Sequence, residues 1–193
     1  MPIKVLDAEG SGLSSVVAEG IVLAVDNGAN IISMSLGGPA SSLIESAVNY
    51  SYNNSVTVIA ACGNSNSNGC SYPAAFTNVI SVGATQYDET KAPYSSFGPN
   101  LDLVAPGGNT GADQNNDGFA DGVLQQTFGS SADTSDFAYW FFQGTSMATP
   151  HVSGVAALLL SINSSLTPDD IRNILTTTAD VLGTRGRDDI FGH

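Results

Sequence analysis

Short apolar runs alternate along this chain with longer segments in which apolar residues recur every three or four positions. The short runs are typical of buried strands, and the helical recurrence is typical of helices with one buried face. The pattern predicts strands at residues 3–6, 31–34, 56–61, 79–82 and 101–104, and helices at about residues 14–26, 41–52, 144–161 and 168–177.

Residues at the helix ends support these limits. We expect Ser14 or Ser15 to cap the first helix, and a left-handed turn at Gly28 to end it. Thr167 is the expected cap of the last helix, with Pro168 in its first turn. The two aspartates that follow face the positive end of the helix dipole.

Alternating strands and helices predict an α/β fold in which a mostly parallel sheet is covered by helices on both faces. In such sheets a site forms at the carboxyl ends of the strands. The loops that leave the predicted strands there are residues 35–38 and 62–64, and a third loop leads to Ser146. All three contain glycine, so another chain can approach their backbone closely. We therefore expect one site built from these three loops.

Ser146 is the candidate nucleophile. It follows Gly144 and Thr145 and opens a long helix-forming stretch, so the glycine permits a tight turn and the helix N-terminus lies beside any anion that forms there. Catalysis by a serine normally needs a neighbouring base. The 145 residues before Ser146 contain no histidine.

Composition limits the partners. The chain has 193 residues, of which 42% are hydrophobic and 21 are glycine, as expected for one globular, turn-rich α/β domain. Five Lys plus Arg against 18 Asp plus Glu give a formal charge of −13. This charge argues against nucleic acid and anionic membranes, since both need a basic face. It suits a secreted, salt-exposed or cation-binding protein.

The chain shows no apolar run of about 18–20 residues and no signal peptide, and both observations describe this chain only, since a longer precursor could carry such segments. Cys62 and Cys70 flank a polar, flexible loop. A disulfide between them would indicate an oxidising compartment, and two free thiols are the alternative.

Seven sequence blocks, in order along nearly the whole chain, resemble a known family. They are Lys4-Val5-Leu6-Asp7, Ser33-Met34-Ser35-Leu36-Gly37-Gly38, Ala60-Ala61-Cys62-Gly63-Asn64, Tyr72-Pro73-Ala74, Tyr94-Ser95-Ser96-Phe97-Gly98, Val104-Ala105-Pro106-Gly107 and Gly144 to Val152. The chain resembles the carboxyl-terminal two-thirds of a subtilisin-like serine protease (subtilase) catalytic domain. The resemblance implies a three-layer, mostly parallel α/β sheet flanked by helices and truncated at both ends, with residues 1–193 as one partial domain.

The resemblance also implies roles for individual residues. Ser146 matches the nucleophile, and Asn64 matches the side-chain donor of the oxyanion hole, with the Ser146 backbone N–H as the second donor. Tyr72-Pro73 matches a turn whose proline is often cis. The implied substrate-binding residues are the strand edge Ser35, Leu36 and Gly37 and the walls of the specificity pocket, Gly38, Ala60, Ala61, Cys62 and Gly63.

Two departures from the family pattern concern the chain ends. The family's catalytic aspartate and histidine precede the segment equivalent to Lys4, and nothing here corresponds to them. Residues 189–193 resemble the start of a segment whose final helix is missing. His151 is the obvious substitute base, but it follows Ser146 by five helical positions, about 140° around the axis and about 7.5 Å along it. We therefore expect His151 to point elsewhere.

A separate motif lies in residues 108–143, which we interpret as an insertion. Oxygen ligands at positions 1, 3, 5 and 9 with glycine at position 6 resemble the start of an EF-hand or dockerin-like calcium loop. The expected structural calcium ligands are Asp113, Asn115, Asp117, the Phe119 carbonyl and Asp121. Leu124 at position 12 departs from the motif because it supplies no carboxylate. A bland acidic turn is the alternative.

The later part of this insertion, residues 137–142, is strongly aromatic. Core packing or strand pairing is the expected role, with a substrate-facing wall as the alternative.

Loss of the segment that carries the aspartate and histidine would also expose one side of the sheet, so we expect a homo-oligomer.

Three functions remain open at this point. The leading hypothesis is part of a secreted, calcium-stabilised endopeptidase that cleaves peptides or proteins through an acyl-enzyme at Ser146. The alternatives are an esterase that acts on small or activated esters with Ser146 and Asn64, and an inactive remnant that binds peptides.

Overall fold

The computed structural model describes residues 1–130 and 133–193. Four parallel strands form one sheet in the order β1-β2-β3-β4. They are β1 (Ile31–Met34), β2 (Thr57–Ala61), β3 (Val79–Thr85) and β4 (Leu103–Pro106). The helices are α1 (Ser14–Asp26), α2 (Ser42–Asn53), α3 (Thr145–Ile162) and α4 (Pro168–Thr178), and a separate hairpin consists of β5 (Val123–Ser130) and β6 (Asp133–Phe142).

Alternate side chains of the sheet belong to two hydrophobic clusters. Val58 and Ala60 of β2 pack in the cluster with α1 and α2, whereas Ile59 between them packs in the cluster with α3 and α4. All residues of β2 and β3 are buried, as expected for central parallel strands. The result is a helix layer, a sheet and a second helix layer, which confirms the three-layer α/β prediction.

Most predicted element limits agree with the structure to within one to three residues. Thr167 caps α4 in a capping box with Asp170, and Gly28 has a φ of +78° after α1, as expected. The predicted cap of α1 is wrong. Its N-cap is Leu13, without a side-chain hydrogen bond, so Ser14 is already helical.

The predicted strand at residues 3–6 is also wrong. Ile3 and Val5 lie against Gly20 of α1, where an added Cβ would meet Val5 Cγ1 at 2.5 Å. Within the described residues, however, β2 is the only strand paired with β1. A groove of about 720 Å³ separates residues 1–6 from β1 and has α1 as its floor. We call it the edge groove. Residues 3–6 form no strand because they have no partner strand beside them.

The aromatic segment forms strand β6, which pairs with β5 from Val123↔Phe142 to Phe128↔Phe137. Strand pairing is therefore confirmed and core packing is wrong. Its aromatic side chains remain between 39% and 67% exposed. Whether residues 108–143 are an insertion stays a prediction.

Helix α3 is long and apolar enough to cross a membrane by length and composition, a property that the apolar pattern of the sequence did not predict. In the fold it packs against all four strands of the sheet, with Ala148, Val152 and Ala156 buried. Within the described fold 28% of the helix is buried, and one such helix is weak evidence for a membrane span because core helices of soluble proteins pass the same test.

Candidate active site

Ser146 lies in the first turn of α3, half-buried, where the loop from the hairpin meets the carboxyl ends of β1 and β2. The residue before this helix, Gly144, has a φ of +147°, a conformation that L side chains rarely adopt. A Cβ at Gly144 would also lie 3.3 Å from Asn64 Nδ2. Glycine is therefore required to bring this turn against Asn64.

A proline inside α3 ties Ser146 to the sheet. Pro150 has no N–H, so the carbonyl of Ser146, four residues earlier, lacks its helical donor. Ser35 Oγ, just after β1, donates to that carbonyl at 2.8 Å. In return, Ser146 Oγ donates to the Ser35 carbonyl at 3.4 Å. The end of β1 thus holds both the backbone and the side chain of the candidate nucleophile.

Asn64 is held by the residue that precedes Ser146. Thr145 N–H and Thr145 Oγ1 both donate to Asn64 Oδ1, each at 2.9 Å. Thr145 Oγ1 in turn accepts the Gly63 N–H at 3.2 Å. The two bonds from Thr145 fill both acceptor positions of the amide oxygen. Among the described residues no hydrogen bond uses Asn64 Nδ2, so its donors are left for a ligand.

Tyr94 also stabilises the turn before α3, through two hydrogen bonds of its hydroxyl. Its hydroxyl accepts the Gly144 N–H at 2.9 Å and donates to the Gly108 carbonyl at 2.8 Å. Burial raises the pKa of Tyr94 to about 12, against a smaller lowering by the Gly144 hydrogen bond. The tyrosine therefore stays protonated at neutral pH and keeps both hydrogen bonds.

The residues of the three loops line one cavity of about 380 Å³, which contains both Asn64 and Ser146. Six of the eight predicted substrate-binding residues line it: Ser35, Leu36, Gly37, Gly38, Ala61 and Gly63. Ala60 and Cys62 do not. Their side chains are fully buried in the hydrophobic cluster with α1 and α2, because Ala60, near the end of β2, and Cys62, directly after it, both point to that side of the sheet.

Sequence reasoning missed three lining residues, Ser65, Ser71 and Thr145. A Cβ at Gly37 would lie 2.4 Å from Ser71 Oγ, so Ser71 takes the space that the glycine leaves. Thr145 had a signal, since it directly precedes the candidate nucleophile. Ser71 had none, because its neighbour Gly37 is 34 positions away in the sequence.

Neither histidine contacts Ser146. His151 is exposed and its Nδ1 lies 2.8 Å from the Met147 carbonyl, as the helical geometry predicts. His193 is held through its backbone N–H, which donates to the Asp102 carbonyl. In the part of the chain that the structure describes, the Ser146 hydroxyl bonds only the Ser35 carbonyl, so it has no basic side chain as partner.

Cys62 and Cys70 form a disulfide, so the alternative of two free thiols is wrong. The bridge closes the loop that begins with Gly63 and Asn64, and Cys62 is fully buried. The cross-link thus fixes the segment that carries the candidate oxyanion donor. Tyr72-Pro73, two residues later, is cis as the resemblance implied.

Removing this bridge with Cys62→Ala and Cys70→Ala together is expected to cost about 2.5 kcal/mol, because the unfolded chain regains the entropy of a loop closed over eight residues. Urea unfolding of the oxidised wild type and of the double variant measures the difference. The wild type under reducing conditions is the control and should lose a similar amount. A double variant as stable as the oxidised wild type would contradict the prediction.

The side chains of the predicted calcium loop accept hydrogen bonds from the backbone of the same loop. Asp113 accepts the N–H groups of Asp117 and Gly118 at 3.1 Å, and Asn115 accepts that of Asp117 at 2.9 Å. Asp121 turns to the Gln114 N–H. Among the described residues, no three acidic, histidine or cysteine side chains form a metal-binding group. The atoms that would coordinate a cation in this loop are all oxygen atoms, and oxygen is the ligand type that calcium prefers.

Comparisons with known proteins agree with this geometry. The model of the subtilase family (Peptidase_S8) matches residues 1–193. The chain is 42% identical to M-protease of Shouchella clausii (strain KSM-K16), with 94% of this chain and 43% of that protein covered. It is 41% identical to Subtilisin Savinase of Lederbergia lenta, with 94% and 61% covered. A solved protease of Pseudoalteromonas arctica superposes with a TM-score of 0.82 at 36% identity, covering 89% of this chain and 53% of that one.

The fold, the serine at a helix N-terminus and the family match agree with one another. The chain belongs to the subtilase family. The chain spans about half the length of the curated relatives that it matches.

Proposed function

We propose that residues 1–193 form the nucleophile-bearing part of a subtilisin-like endopeptidase that cleaves peptide bonds through an acyl-enzyme at Ser146. The single observation that carries the proposal is the shared cavity of Ser146 and Asn64, with Asn64 fixed by Thr145. The substrates are peptides or proteins, as the family implies.

The geometry supports each part of an acyl transfer. An extended peptide lies along residues 35–37, where the backbone follows the end of β1. Its side chain enters the cavity between Gly38, Ala61 and Gly63. Ser146 Oγ attacks the scissile carbonyl, and the oxygen that becomes negative receives the Asn64 Nδ2–H and the Ser146 N–H. Both donors are fixed before the reaction begins, which is the condition for electrostatic stabilisation of the transition state.

The proton of Ser146 Oγ must go to a base, and the described residues supply none beside it. Loss of a triad member costs up to about 10⁶-fold in rate, while the oxyanion hole and binding retain about 10³–10⁴ over water. Residues 1–193 alone would then leave peptide bonds intact and turn over activated esters slowly. The intact donor pair without a base is the observation that favours ester hydrolysis as the second candidate function of the isolated chain. If the chain is an inactive remnant that binds peptides, it hydrolyses neither peptide bonds nor esters.

A chimera tests the proposal directly. Residues 1–193 are joined to the part of Subtilisin Savinase that precedes the matched region, and casein cleavage is measured. The chimera is expected to cleave casein and to react with a fluorophosphonate at Ser146. The Ser146→Ala chimera, which lacks the nucleophile, should do neither. A chimera that melts cooperatively yet leaves casein intact and does not react at Ser146 contradicts the proposal. Ester hydrolysis by residues 1–193 alone, lost in Ser146→Ala, would support the second candidate.

The parent protein is proposed to be extracellular. The disulfide needs an oxidising compartment, and a formal charge of −13 suits a protein exposed to salt.

Self-association through the open side of the sheet also stays a prediction, which sedimentation of residues 1–193 tests.

Calcium is proposed as a structural ligand of residues 113–121. Asp113, Asn115 and Asp117 would hold the ion with their side chains, together with the Phe119 carbonyl and Asp121. The turn that these side chains already stabilise would lose its mutual carboxylate repulsion when the ion binds.

Calcium at 10 mM is expected to raise the melting temperature of residues 1–193 by about 5–10 °C. A site with a Kd of about 10⁻⁴ M gives about 2.7 kcal/mol at this concentration, and a chain of this size shifts by about 2–4 °C per kcal/mol. Asp117→Asn should remove most of the shift. Asp180→Asn, an exposed change outside the loop, should leave it intact. Equal shifts in both variants would refute the site.

A further inference from the structure

The β5–β6 hairpin carries an exposed aromatic face. In the paired register, Leu124 lies opposite Phe141 and Phe128 lies opposite Phe137, with Tyr139 between them. Residues opposite each other and two apart share a face of a sheet. We define the aromatic face as Leu124, Phe128, Phe137, Tyr139 and Phe141, together with Phe119, whose ring centroid is 6.2 Å from that of Phe141. These six side chains are between 40% and 67% exposed.

Nothing else in the described fold covers this face. The two strands pack extensively only on each other. Large apolar side chains in a contiguous exposed patch mark a site of interaction more often than isolated ones do. The rings of Phe128 and Phe137 contact each other across the hairpin, with centroids 5.0 Å apart.

The charges around the face select the partner. Residues 108–143 contain five aspartates and no Lys, Arg, His or Glu, and the whole chain carries −13. Asp133 and Asp136 lie at one end of the hairpin, and Asp113, Asp117 and Asp121 lie in the loop at the other, where a bound calcium ion would leave one net negative charge. A second copy of this hairpin or an anionic surface would be repelled from the face. A cation would be attracted by the acids and by the electron-rich faces of the rings.

We propose that the aromatic face binds amphipathic cationic polypeptides, with apolar side chains packed on the rings and arginine guanidinium groups placed over ring faces and toward the flanking aspartates. The hairpin leads directly into the candidate active site, since Phe142 is only four residues before Ser146. The hairpin end nearest the cavity in sequence is thus the end that carries Leu124 and Phe141. Binding here does not depend on catalysis by Ser146, so it is tested independently of the proposed protease function.

The chain contains its own reporter. Trp140 is its single tryptophan and lies in β6 between Tyr139 and Phe141, half exposed, on the opposite face of the hairpin, so its emission reports a change in the strand and calorimetry measures the binding itself. Residues 1–193 are titrated with an acetylated octapeptide of alternating arginine and leucine, and binding is followed by Trp140 emission and by calorimetry. We expect a change in emission and saturable binding that persists in part at 0.5 M NaCl, because ring contacts are less screened than exposed charge pairs.

Variants assign the binding to the face. Phe137→Ser with Tyr139→Ser is expected to weaken binding at least tenfold. Tyr139→Leu keeps an apolar side chain but removes the ring, and should weaken binding about two- to fivefold, as expected for loss of one exposed cation–π contact. This conservative variant also serves if the double variant fails to melt cooperatively. Tyr87→Ser, a matched change at a 61% exposed tyrosine outside the hairpin, should have no effect.

Four results would overturn the proposal. The first is equal affinity in wild type and Tyr139→Leu, and the second is an equal loss in Tyr87→Ser, since either result means general charge attraction. The third is co-sedimentation of the wild type with neutral phosphatidylcholine vesicles that Tyr139→Ser abolishes, which assigns the face to a lipid surface. The last is a wild-type dimer that Tyr139→Ser converts to monomer, which assigns the face to a second copy.

Discussion

Replacing Asn64 by leucine is expected to lower the rate at which residues 1–193 hydrolyse p-nitrophenyl acetate by about 10²–10³-fold. The magnitude is the one known for the side-chain oxyanion donor of a subtilisin, a member of this family. The physical reason is specific to this arrangement. Without a base beside Ser146, the remaining acceleration depends on the two donors that face the developing negative charge, and Asn64 supplies one of them.

Two further variants separate the donor from its support. Thr145→Val removes the hydroxyl that donates to Asn64 Oδ1, and should cause a smaller loss because the Thr145 N–H still holds the amide. Asn173→Leu, the same exchange at an exposed position of α4, should leave the rate unchanged. Initial rates over a range of ester concentrations give kcat and KM. If Asn64→Leu changes only KM, the amide binds substrate and does not stabilise the transition state.

Replacing Ile59 by alanine is expected to lower the free energy of unfolding by about 4 kcal/mol. Ile59 lies at the centre of β2, has no exposed surface and packs in the cluster with α3 and α4. Truncation of a buried isoleucine loses its transfer free energy and leaves a cavity, with measured costs of about 2–5 kcal/mol. The loss is a large part of the total stability of an ordinary domain.

Ile162→Ala is the matched control, because it makes the same chemical change at a side chain that is 85% exposed at the end of α3. Its effect should stay within about 0.5 kcal/mol. Urea unfolding followed by circular dichroism measures both variants. Similar losses for Ile59 and Ile162 would show that the sheet does not form the core of the domain.

The sequence was sufficient for those parts of the fold that depend on local pattern. The apolar runs of β2 and β3 identified central strands, and Thr167 with Asp170 identified a helix start, because each signal is contained in a few neighbouring residues. The serine at the start of α3 was predictable for the same reason. The residues that cause each of these elements to form lie within the element or directly beside it.

Other features depend on what surrounds a segment. Residues 3–6 have the composition of a strand but lack a strand to pair with, so composition alone gave the wrong answer. The family resemblance implied that Ala60 and Cys62 belong to the pocket walls, whereas their side chains pack in the hydrophobic core. The bond between Thr145 and Asn64 joins residues 81 positions apart, and no local pattern reports such a distance.

The exchange of hydrogen bonds between Ser35 and Ser146 has a mechanical consequence. Ser35 directly follows β1, the edge strand of the described sheet, and Ser35 also lines the edge groove. A molecule that entered the groove and displaced this strand would shift the reactive hydroxyl with it.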